Sequence, residues 1–137
     1  MSIVNGSSPR LDGIEFAPVQ LVADDSDSNL NSIPPLATTV KVTGVTNDAN
    51  DYIVMPSLGS CPDGHRITIL ASATSNFELR TPSASAEEIN SEDCDGTKEA
   101  LITDTTVMTA TKINGTVGWM LEGRTAIGAY ATAIVPD

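Results

Sequence analysis

The sequence predicts an all-β protein: a single antiparallel β-sandwich or jelly-roll-like domain at residues 38–137, preceded by an extended N-terminal arm at residues 1–37. Three observations carry this. Apolar residues recur with period two through most of the second part, β-branched Val, Ile and Thr are abundant, and turn dipeptides punctuate the chain. Turn signals at roughly 8–12-residue spacing belong to sandwiches and small barrels. At 137 residues the chain has the size of one domain. A hydrophobic fraction of 40% permits a core, and an aromatic fraction of 4% means aliphatic side chains must fill it.

The first 37 residues differ from the rest. Asn5-Gly6-Ser7-Ser8-Pro9 is polar, Asp24-Asp25-Ser26-Asp27 is an acidic knot, and Pro34-Pro35 forces extended backbone. Between them Ile14–Ala23 alternates, with a change of register at Pro18. Proline cannot donate to a sheet ladder, so this run predicts an edge strand, a bulge or an arm laid on another body. Ile14, Phe16, Val19 and Leu21 are its apolar teeth and the candidate contacts to a partner or a neighbouring subunit.

From residue 38 the strands follow in order. Val40 and Val42 alternate with Thr39, Lys41 and Thr43; Ile67, Ile69 and Ala71 alternate with Arg66, Thr68 and Leu70. Phe77 and Leu79 alternate with Asn76, Glu78 and Arg80, and Val117, Trp119 and Leu121 share one face. Each suits a half-buried strand. Further strands are expected at 52–55, 99–102, 106–113 and 126–135. Asp63-Gly64, Asp95-Gly96 and Asn114-Gly115 are type I′ turn dipeptides, and Asn114-Gly115 predicts a hairpin between its flanking strands. Only Ala84–Ser91 competes as a helix, of one or two turns. Trp119 reads as the core anchor.

Charge narrows the partners. Eighteen acids against seven bases give −11, and the bases are scattered, which argues against nucleic acid and against an anionic membrane surface. No apolar run approaches the ~18 residues of a transmembrane helix, and the start lacks the basic-then-apolar order of a signal peptide. Met1–Gly6 reads as a mature start made in the cytoplasm. There Cys61 and Cys94 are expected as free thiols, although a bridge between them stays open.

Catalytic chemistry has little to stand on. The single histidine, His65, follows a turn dipeptide, and no serine sits in a Gly-x-Ser-x-Gly elbow. Cys61 has only His65 and Arg66 nearby to lower its pKa, and reads as a small buried filler. One His and two Cys cannot complete a zinc site. Ser91–Gly96 places Asp93, Asp95 and Gly96 at EF-hand offsets, but Ser91 stands at the first position and Ile102 at the twelfth. Asp93 and Asp95 are therefore candidates for an irregular cation site, beside the plainer reading of a solvated acidic loop. No cofactor and no metal are expected. A small carbohydrate-active or calcium-dependent enzyme would need paired acids such as Glu87, Glu88 and Asp93. The shortage of aromatic platforms and of histidine weighs against that class.

Residues 38–137 resemble the small β modules of tailed-phage virion proteins, particularly capsid decoration (cement) proteins and some fibre modules. The resemblance rests on Asp51-Tyr52-Ile53-Val54-Met55-Pro56, Gly64-His65-Arg66-Ile67-Thr68-Ile69, Phe77-Glu78-Leu79-Arg80-Thr81-Pro82, Ile89-Asn90 and Gly118-Trp119. The acidic insertion at 86–97 and the tail at 125–137 depart from that pattern. The resemblance implies a non-enzymatic structural protein, a homotrimer on the outer surface of the virion that binds the major capsid protein. Its arm would clamp neighbouring capsomers by strand addition. A tail-fibre, spike or head-fibre module that recognises host glycans is the alternative the same resemblance allows.

Overall fold

A computed structural model describes residues 18–26, 30–46, 50–72, 76–94, 99–103, 107–113 and 117–130. The chain is all-β. Its strands, in order, are β1 (Val19–Ala23), β2 (Thr39–Val45), β3 (Tyr52–Val54), β4 (Arg66–Ala71), β5 (Phe77–Arg80), β6 (Glu88–Ile89), β7 (Glu92–Asp93), β8 (Ala100–Ile102), β9 (Val107–Lys112) and β10 (Trp119–Arg124). A 3₁₀ turn, Leu58–Ser60, precedes Cys61.

Seven strands form one sheet in the order β1-β2-β4-β9-β10-β6-β7, and three form another in the order β3-β5-β8. The predicted strands at 40–43, 52–55, 67–71, 76–80, 99–102, 106–113 and 117–121 each coincide with one of these. Their pairing, however, is mixed, where the sequence had led us to expect antiparallel strands. β1, β2 and β4 run parallel, with Val19 beside Val40 and Thr39 beside Thr68, and β3 runs parallel to β5. The chain therefore winds back and forth between the two sheets, a solenoid-like arrangement rather than a clear sandwich. Turn spacing does not reveal this, because β3 lies between β2 and β4 and provides the long crossover that parallel neighbours need. The second half closes antiparallel: β8 on β5, β9 on β4 and β10 on β9.

One core lies between the sheets. Val40, Val42, Ile67, Ile69 and Met108 enter it from the larger sheet, and Ile53, Phe77, Leu79 and Ala100 from the smaller. Trp119 anchors it, fully buried, as the sequence suggested.

Among the described residues before 38, several share the core of the rest of the chain. β1 is an edge strand, with a register shift between Leu21 and Val22, as Pro18 had suggested. Yet Leu21, Ala23 and Ile33 are buried members of the common core, and Val19 packs against it. Asn31 ties the same stretch down: its amide nitrogen donates to the carbonyls of Asp24, Ser26 and Tyr52. Polar residues and prolines gave this segment an arm-like composition, but alternation put its few apolar side chains on one inward face. Ile14 and Phe16 lie outside the described residues.

Three further differences are local. Ala84–Ser91 is not helical: Ala84, Ala86, Asn90 and Ser91 all adopt positive φ, and Glu88-Ile89 pairs instead with β7 and β10. Asn90 and Ser91 form the two-residue turn between β6 and β7 with φ of 53° and 71°, the positive values a type I′ turn requires. The Asn90 side chain then docks on β10, its Oδ1 accepting from Leu121 N and its Nδ2 donating to Leu121 O. Second, the strand expected at 126–135 is replaced, as far as residue 130, by a turn closed by Gly128 N–H donating to the Thr125 carbonyl. Third, the β9–β10 hairpin forms, while Asn114-Gly115 itself lies outside the described residues, as does Asp95-Gly96.

Candidate interaction surface

The inward alternation of the larger sheet dictates what its outer face carries. Following the register across the strands, Gln20, Lys41, Leu70, Val107, Arg124 and Tyr130 align in one row. Thr39, Thr68, Thr109 and Glu122 align in the next. Val107 and Met120 are exposed apolar side chains on this face. Threonines on neighbouring strands favour the pleated surface and pair across it. A shallow hollow of about 120 Å³ lies on it, lined by Val107, Thr109, Glu122, Gly123 and Arg124.

Charge is distributed unevenly. The chain carries −11 overall. Among the described strand residues of this outer face stand Lys41, Arg66 and Arg124, against Glu88, Asp93 and Glu122, so the face is close to neutral on a strongly acidic chain. Arg124 is built in place: its guanidinium stacks 4.2 Å from the Tyr130 ring centroid and donates to the Gly128 carbonyl at 2.9 Å. Beyond it Ile127 is 92% and Tyr130 72% exposed. At the other edge of the sheet the acidic turn after β1 is also shaped by its sequence. Hydrogen bonds from Ser26, its hydroxyl foremost, and from Thr46 hold the Asp24 carboxyl below the usual carboxylate range, against an opposing contribution from desolvation.

A second concavity, about 390 Å³, lies where the first two windings meet the loop after β5. Ile33, Val54, Met55 and Pro56 line it as buried side chains, with Pro35, Pro82 and serines around them.

The residues singled out from the sequence are dispersed. Val19 and Leu21 belong to the core side of β1. Asp93 pairs with Glu88 across the β6–β7 turn, and Asp95 lies outside the described residues. Among the described residues, no three of His, Cys, Asp and Glu are grouped to hold a metal ion. Glu87 caps the 3₁₀ turn, its carboxylate accepting from Ser57 Oγ and Leu58 N. His65 Nε2 lies 2.9 Å from the Ala37 carbonyl, which joins the strand after its turn to the start of β2. Lys112 pairs with Asp63 and donates to the Cys61 carbonyl. Cys61 and Cys94 are both buried free thiols. Burial, reinforced by Asp93, Glu99 and Glu92, pushes the Cys94 thiol up to about 11, so it stays protonated and unreactive at neutral pH.

One centre was not singled out from the sequence. Arg80 pairs with Glu78 at 2.8 Å and Glu99 at 3.0 Å, and its guanidinium lies 4.0 Å from the Tyr52 ring centroid. It joins β3 and β5 to the residue preceding β8, and its role is to hold the smaller sheet together. Only the alternation of Glu78 and Arg80 with Phe77 and Leu79 hinted at it, by placing them on the outward face.

A scan against protein-family models finds no match for this sequence, and searches of curated proteins and of solved structures find none either.

Proposed function

We propose that this chain is a non-enzymatic structural protein of a phage virion. In this reading it is a capsid decoration protein that binds the outside of the head and stabilises it by bridging major capsid subunits. The observation that carries the reading is the uncovered outer face of the seven-stranded sheet. It is threonine-rich and bears exposed Val107 and Met120. Such a face suits docking by buried area rather than by chemistry on a bound substrate. The all-β body agrees with such a module, although its solenoid-like winding differs from the sandwich or jelly roll expected of one. Strand addition by an N-terminal arm is narrowed, because Val19 and Leu21 are already engaged within the chain. Any clamp of that kind must use residues before 18. The test is add-back: particles made without this protein are incubated with the purified chain and heated. The reading expects saturable binding and release of DNA at a higher temperature; absence of binding contradicts it.

The tail-fibre or spike alternative has one observation in its favour. The parallel winding of β1, β2 and β4 with β3 and β5 is the kind of stacking that extends along an axis. Binding of the purified chain to host cells rather than to heads distinguishes the two.

A further inference from the structure

We infer that copies of this chain associate head to tail, the Arg124–Tyr130 end of the larger sheet in one copy seating on the acidic edge around β1 in the next. The two surfaces are complementary in both charge and apolarity. At one end Ile127 and Tyr130 project into solvent beside exposed Val107, with Arg124 stacked on Tyr130. Tyrosine and arginine around an exposed aliphatic are the residue types that dominate binding energy. Among the described residues β6 meets β10 at Trp119, the opposite end of that strand, and on that side Arg124 pairs with Tyr130 of the following turn.

At the other edge Leu30 is 67% exposed and Val22 38%, beside the exposed Asp25 and the ionised Asp24. Leu30 runs along β1, its carbonyl accepting from Val22 N.

The two patches cannot satisfy each other within one chain. From Gln20 to Tyr130 the row crosses five strand spacings, about 24 Å at the usual separation. A reciprocal two-fold contact would pair the same two patches twice and stop at a dimer, whereas a head-to-tail contact leaves one patch of each kind open at the ends. Two chains of −11 repel wherever acidic surface meets acidic surface. The exposed Arg124 is where the acidic edge of a second copy is admitted. A heterologous contact of this kind repeats, closing into a ring or running on as a filament.

The inference concerns contacts between copies of this chain and does not rest on the capsid binding of the proposed function. Its test uses the chain alone, so it fails separately from binding to particles. Sedimentation velocity of the full chain is expected to show concentration-dependent assembly. Ile127→Asp, Arg124→Glu and Asp25→Arg are each expected to weaken it by at least about tenfold, as loss of a central anchor or pair does. All three positions are exposed, and unchanged circular dichroism verifies the fold. The double variant Arg124→Glu/Asp25→Arg is expected to regain assembly, because in a head-to-tail contact the exchanged charges face each other. Three results would overturn the inference: a wild-type monomer at about 0.1 mM, well above any micromolar Kd; assembly indifferent to Ile127→Asp; or a double variant no better than its parents.

Discussion

Gly118 passes so close to Glu88 that a Cβ on the glycine would overlap the Glu88 carbonyl and its carbon. Gly118 also has φ of 63°, in the left-handed region that side chains resist. This close approach is what lets the β6–β7 turn reach β10, where Asn90 N–H donates to the Trp119 carbonyl and Ile89 pairs with Trp119. Gly118→Ala is therefore expected to lower stability by about 2–4 kcal/mol, combining the strained φ with displacement of backbone. Urea denaturation measures it. A change under about 0.5 kcal/mol, ordinary for a surface site, would contradict the packing described.

Arg80 serves two carboxylates and one ring, and its side chain is only 22% exposed. Removing it with Arg80→Met leaves Glu78 and Glu99 facing each other without their cation. The expected loss is about 2–4 kcal/mol, somewhat below that of breaking a fully buried pair. Arg80→Lys is expected to recover less than half, because an ammonium lacks the planar fork that bridges both acids while stacking on Tyr52. Equal stability of the lysine variant and the wild type in urea would show that the bridging geometry is unimportant.

Alkaline pH should act through Cys94. Its thiol is raised from the ordinary value of 9.0 to about 11 in the folded chain. Below pH 9 both states hold the proton and the contribution to stability is complete. As pH rises towards about 11 the unfolded chain releases its proton first, and the contribution is lost. The urea midpoint of the wild type is expected to fall more between about pH 8 and about pH 10 than that of Cys94→Ala. Parallel slopes would contradict the burial of this thiol.

Deleting residues 1–23 is expected to abolish cooperative folding, since it takes Leu21 and Ala23 from the core and the parallel partner from β2. The milder Leu21→Ala is expected to cost about 2–4 kcal/mol, as large-to-small core substitutions do. A deletion that unfolds as sharply as the full chain would contradict this, showing that the rest folds without the segment.

What the sequence made legible follows from what period two encodes. Alternation in Val40-Val42, Ile67-Ile69 and Phe77-Leu79 reports which face of a strand is buried, and those faces are inward. It carries no information on which strand lies alongside or in which direction. The parallel neighbours β2 and β4, separated by β3, were therefore invisible. The same limit hid β1: Leu21, Ala23 and Ile33 are too few to outweigh the prolines and aspartates around them, yet three inward residues suffice to bind the segment to the core. Ala84–Ser91 misled for a different reason. Alanine and glutamate favour a helix locally, but Asn90 finds two hydrogen bonds on Leu121, a partner thirty-one residues away. Of the surface features, only the scarcity of charge on threonine-bearing strands was readable. The meeting of Arg124 with Tyr130, and of Arg80 with Glu99 and Tyr52, depends on register and on contacts between strands.

The most direct measurement of the central proposal is the number of copies of this chain per purified particle, by quantitative mass spectrometry against the major capsid protein. A decoration protein is expected in a whole-number ratio to the shell subunits, as repeated symmetric sites require. A handful of copies would place it at the tail or a single vertex, and absence from the particle would contradict the virion reading altogether.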